Sequence, residues 1–88
     1  MAAGTSKLIR ELKQVVHLFD EQSRLRKASL LKKLATAPLP GGKDLLEYHD
    51  LLLFLFAYPD SAGSRELVAV SLNRVVAFAK RISKMPNC

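Results

Sequence analysis

A single cysteine, Cys88, leaves no internal disulfide framework and no cysteine-built zinc cluster. Tryptophan is absent and no aromatic residue lies between Phe19 and Tyr48, so base-stacking platforms and interfacial aromatic belts have little to build on. The longest unbroken apolar run, Leu51 to Tyr58, is eight residues, against the ~20 that a membrane-spanning helix needs. Acidic residues are missing altogether between Gln22 and Gly42. What is present is 49% apolar and 25% charged over 88 residues, too hydrophobic for intrinsic disorder and enough for one small domain.

Lys and Arg outnumber Asp and Glu by 14 to 8, giving a net charge of +6. Such a balance favours acidic or phosphate-rich partners. The excess is concentrated: Arg24, Arg26, Lys27, Lys32 and Lys33 fall within ten positions, and Lys80, Arg81 and Lys84 form a smaller group. The opening Met-Ala-Ala-Gly-Thr-Ser-Lys lacks the apolar core of a secretory signal, and Glu11 and Asp20 interrupt any transit-peptide pattern. The expected setting is the cytoplasm.

Periodicity points to helices. Leu8, Leu12, Val15 and Phe19 recur at helical spacing, with Ile9 and Val16 widening the stripe and Thr5 or Ser6 available as an N-cap. The stripe then loses phase, because its continuation would bury Gln22 and Arg26 while the apolar residues are Leu25, Leu30, Leu31 and Leu34. Either the helix bends near Asp20–Ser23 or a second one starts there, capped by Asp20 or Ser23; one interrupted helical region over about 5–35 is expected. Ala37-Pro38-Leu39-Pro40-Gly41-Gly42 is a breaker and sets a linker over 36–43. Asp44 with Glu47 three residues on has the form of a capping box, predicting a central helix over about 44–57. Pro59 ends that helix, Asp60, Ser61 or Ser64 can cap the next, and the last helix runs over about 61–85 to Pro86. The expected fold is all-α: a single helical domain, 1–88, of three to four helices packed antiparallel as a small bundle or helical-hairpin array.

Candidate sites are few. Glu47-Tyr48-His49-Asp50 is the densest group of titratable residues, yet acids in the first turns of a helix follow from its dipole, and only His17 offers a second imidazole. Gly41-Gly42-Lys43 lacks the earlier glycine and the following Ser or Thr of a phosphate loop. Ser29, after Arg26 and Lys27, has the look of a basophilic kinase acceptor, a short pattern that recurs by chance. No cofactor is expected. Phe78-Ala79-Lys80-Arg81-Ile82-Ser83-Lys84-Met85-Pro86-Asn87 resembles the close of the second helix of a tetratricopeptide repeat. The resemblance covers ten residues, and Arg74 and Arg81 stand where that family has small ones; it implies helical-hairpin packing and nothing about a ligand.

The functional expectation is a small non-enzymatic protein-interaction module, or the N-terminal helical part of a longer protein. Its expected interaction surface is Leu52, Phe54, Leu55 and Phe56, taken from an apolar run that faces every direction around a helix. A protein partner or a second copy is expected to cover it. The alternative is electrostatic binding of nucleic acid or an anionic surface through Arg24, Arg26, Lys27, Lys32 and Lys33.

Overall fold

The computed structural model describes residues 2–60 and 62–83. Four helices account for nearly all of them: α1 (Ala2–Val15), α2 (Glu21–Thr36), α3 (Gly42–Ala57) and α4 (Ala62–Ser83). The expected ending of the last helix near Met85 and a cap at Ser61 lie outside the described residues.

The interrupted region over 5–35 is two helices, not one. Asp20 stops any continuation by capping α2: the backbone N–H of Ser23 donates to Asp20 Oδ2 at 3.2 Å and the Ser23 hydroxyl to Oδ1 at 2.7 Å. These bonds hold the Asp20 carboxyl below its ordinary value, the side-chain bond from Ser23 contributing most. Because α1 ends at Val15, its period never reaches Phe19, which is half-exposed. The buried face of α1 is Thr5, Ile9 and Leu12, continued by Val16 just past its end; Ile9, Leu12 and Val16 belong to the expected stripe, while Leu8 and Val15 lie at its edge.

Asp44 does not cap α3. The helix enters one turn earlier through Gly41 and Gly42, and Gly42 takes φ +61, a left-handed conformation that a side chain disfavours. Asp44 instead sits in the first turn, where a carboxylate suits the dipole, and accepts a hydrogen bond from the Ser6 hydroxyl. Thr5 and Ser6 are likewise not caps, since α1 begins at Ala2; the Thr5 hydroxyl donates to the Pro38 carbonyl at 2.9 Å. Both contacts fasten the start of α1 to the linker.

The helices pack as two antiparallel hairpins, α1/α2 and α3/α4, laid one on the other. Thr5 meeting Pro38 and Arg26 meeting Glu11 set the first hairpin. Across the hairpins like lies along like. Ser6–Asp44, Lys13–Glu47 and His17–Phe54 run α1 parallel to α3, while Lys27–Asp60 and Arg74–Leu34 run α2 parallel to α4. The helix α2 therefore stands diagonal to α3, with no close approach of the two backbones. The core is Ile9 and Leu12 from α1, Val16 just after it, Leu30, Leu31 and Leu34 from α2, Leu45, Tyr48, Leu51, Leu52 and Leu55 from α3, and Val68 and Val75 from α4.

Candidate functional site

The basic segment divides once α2 is placed. Its buried face is Ser23, Lys27, Leu30, Leu31 and Leu34, so the phase lost in the sequence is carried by a serine and a lysine. Lys27, expected among the anion-binding cations, is 0% exposed: its ammonium lies 3.1 Å from Asp60 Oδ1 and 4.2 Å from the centroid of the Phe19 ring. A charge so placed is held by its partners and is not presented to a ligand. Arg24 also turns to Asp60, donating to its carbonyl at 2.7 Å. Arg26 pairs with Glu11. Of the five cations, Lys32 and Lys33 stay exposed with no ion pair among the described residues.

The hairpins are joined by a second polar clamp that the sequence did not disclose. Arg74 of α4 donates from Nη1 to the carbonyls of Leu34 and Ala35, at 3.0 and 2.9 Å, and from Nη2 to that of Ala37. These carbonyls lie at the end of α2, at the negative end of its dipole, and that of Leu34 also accepts the Ala37 N–H at 3.3 Å.

The residues of Glu47-Tyr48-His49-Asp50 point four ways. Glu47 pairs with Lys13 at 3.4 Å, Tyr48 is buried, His49 lines the α3/α4 surface and Asp50 is exposed. Burial pushes the Tyr48 phenol above its ordinary value, with Ser71 and Arg74 pulling against it. Neither the Tyr48 nor the Ser71 hydroxyl completes a hydrogen bond of good geometry. Among the described residues no three His, Cys, Asp or Glu gather as metal ligands.

Of the expected interaction surface, Leu52 and Leu55 are 0% and 2% exposed and belong to the core, because α3 turns 48, 52 and 55 inward together. Phe54 is half-buried, its ring edge against His17 at 4.4 Å and its face tilted toward Tyr58 at 4.9 Å. Phe56 does reach the surface, with the Arg65 guanidinium 4.8 Å above its ring.

The larger apolar surface is one the sequence reading missed. Leu46 and Leu53, two turns apart on α3, are 67% and 47% exposed, and Val76 of α4, 42% exposed, lines the same groove as Leu46. Between the two helices runs a groove of about 300 Å³ lined by Leu45, Leu46, His49, Val75, Val76, Ala79 and Lys80. It lies on the side of α3/α4 turned away from the first hairpin. A signal for it exists in the sequence: Lys43 and Asp50 mark the solvent face of α3, and Leu46 and Leu53 fall on that same face. Among the described residues no helix is long and apolar enough to cross a membrane. Comparison with protein-family models, curated proteins and solved structures found no match.

Proposed function

We propose that this chain is a non-enzymatic helical module that binds another protein through the outer face of α3/α4. The observation that carries the reading is the exposed apolar set of Leu46 and Val76, which line the α3/α4 groove, with Leu53 and Phe56 further along α3, left bare because α2 stands diagonal to α3. A first hairpin that covers one side of the second leaves the other side unpartnered. Exposed apolar surface gathered in one place, and not scattered singly, is what interaction sites have. A cytoplasmic setting belongs to the proposal, resting on a cysteine content too low for an internal disulfide framework.

Nucleic-acid binding has less support, since Lys27 is buried and Arg24 and Arg26 are engaged with Asp60 and Glu11. A photo-crosslinking side chain placed at Leu53, and separately at Lys32, tests both readings in the native host. Discrete crosslinked protein species at Leu53, and none at Lys32, is the expected result. Crosslinks to nucleic acid at Lys32 with none to protein at Leu53 would overturn it.

A further inference from the structure

The end of the bundle that holds the linker carries the excess of positive charge. The first two turns of α1, the last two of α2, the first of α3 and the last three of α4 meet there around residues 37–41. Among their described residues Asp44 is the single acid, and it already accepts from Ser6. Set against it are Lys7, Lys32, Lys33, Lys43, Arg74 and Arg81. Glu47, the next acid along α3, is paired with Lys13. Two helices begin at this end and two finish, so their dipoles offset one another and the formal charges set the field.

Within that end, α4 and the linker border a cavity of about 240 Å³ lined by Leu39, Arg74, Ala77, Phe78 and Arg81. Arg74 and Arg81 are two turns apart and share one face of α4, a different face from the one that turns Val76 and Ala79 to the α3/α4 groove. No carboxylate lines the cavity. The bonds from Arg74 to the carbonyls of Leu34, Ala35 and Ala37 use Nη1 and Nη2, and none uses Nε, so its five donors are not exhausted. Those bonds also hold the guanidinium in place before a ligand arrives, which lowers the ordering cost of binding. Arg81 is exposed and has no ion pair or hydrogen bond among the described residues.

Two guanidiniums in one cavity without an acid match a dianion better than a monoanion. A phosphomonoester carries a charge of about −1.5 to −2 and three acceptor oxygens, and the guanidinium fork fits phosphate geometry. Beside the charges Leu39, Ala77 and Phe78 form an apolar wall. Drug-sized ligands occupy about 300–1,000 Å³, and a cavity of about 150 Å³ takes benzene. The space here therefore suits a phosphate and one ring-sized group.

We propose that this cavity binds a small phosphomonoester with an apolar ester group, its phosphate on Arg74 and Arg81 and its apolar group on Leu39 and Phe78. The site stands apart from the outer α3/α4 face, and neither reading depends on the other.

The test titrates the full chain with phenyl phosphate, inorganic phosphate and benzoate at constant ionic strength, followed by calorimetry and by NMR of the backbone amides and arginine Nε–H groups. Phenyl phosphate is expected to bind ~10-fold or more tighter than either other probe, because it alone offers both the dianion and the ring. The resonances that move should be those of Leu39, Arg74, Phe78 and Arg81. Arg81→Gln, at an exposed position, should weaken phenyl phosphate by ~10-fold with the helical circular-dichroism spectrum intact. Lys7→Gln with Lys43→Gln removes two charges from the same end and none from the cavity, and should change the affinity by less than ~3-fold, as screened charges do. Equal losses in the two variants would show a diffuse field and overturn the site. Benzoate binding as tightly as phenyl phosphate would overturn the match to a dianion. Sedimentation of the chain with phosphatidic-acid vesicles, and no response to phenyl phosphate, would give the cavity to a lipid headgroup and overturn the small ligand. No response to any probe at ~10 mM, weaker than the loosest specific binding, would overturn the proposal outright.

Discussion

Removing Asp60 should be the most damaging single polar change in this protein. The Lys27 ammonium is fully buried, and among the described residues its only hydrogen-bonded anion is the Asp60 carboxylate at 3.1 Å, whose side chain is itself 9% exposed. In Asp60→Ala the ammonium keeps the Phe19 ring and loses its charge partner, and breaking a buried pair from one side costs about 3–5 kcal/mol. Lys27→Met is the milder change. It fills the same channel with an apolar chain, and it leaves Asp60 near Arg24, whose Nε is 3.9 Å from the carboxylate; about 1–2 kcal/mol is expected, within the ordinary range of single substitutions. The double variant should be no less stable than Asp60→Ala alone, since the orphaned charge is gone, giving a coupling of about 1–3 kcal/mol. Urea denaturation followed by circular dichroism reads all three by linear extrapolation. A domain of this length has only ~4–13 kcal/mol in total, so Asp60→Ala is measured with a stabilising osmolyte throughout. If Lys27→Met and Asp60→Ala each change stability by less than ~0.5 kcal/mol, as solvated surface positions do, the buried pair is not the clamp described here.

Arg74→Ala should cost about 2 kcal/mol, because it strips a charged donor from carbonyls at the end of α2; Arg74→Lys should rescue only part, since a point charge cannot reproduce the fork, and thermal melts of the two variants check the order. Gly42→Ala should destabilise by roughly 1 kcal/mol, the penalty for a side chain at φ +61, and an unchanged urea midpoint would show that α3 starts elsewhere. Tyr48→Phe should leave neutral-pH stability equal or higher, because the buried hydroxyl it removes completes no hydrogen bond of good geometry among the described residues. The raised phenol also sets a sign: the folded state keeps its proton longer than the unfolded chain, so stability falls as pH rises past the ordinary tyrosine value. Tyr48→Phe should flatten that alkaline loss, and a pH series of urea midpoints that is the same for both chains refutes it.

The amino-acid pattern by itself determined that the chain is helical and where most helices stop. Pro38, Pro40 and Pro59 cannot continue a helix, Asp20 competes for the backbone N–H groups at a helix start, and the apolar residues recur at a period near 3.6. These are effects within one turn of chain, so they are written locally. Such rules reach less far at Asp44, where a residue able to cap was passed over because a glycine pair let the helix begin a turn earlier. They also left the start of α2 as one of two alternatives.

Only the tertiary structure decided which faces are covered. Leu51 to Phe56 present apolar groups all round α3, and no local rule distinguishes Leu52, which is buried, from Leu53, which is 47% exposed. That choice followed from α1 and α4 flanking α3 while α2 took the diagonal position. The same holds for the basic segment. Lys27 reads as one more cation in a run, and it is buried because Asp60, 33 positions along the chain, is brought to its ammonium. Arg74 finds the end of α2 across a separation of 40. A charge pairs with whatever the packing sets beside it, and such pairs leave no period in the sequence, because their partners become neighbours only when the two hairpins close.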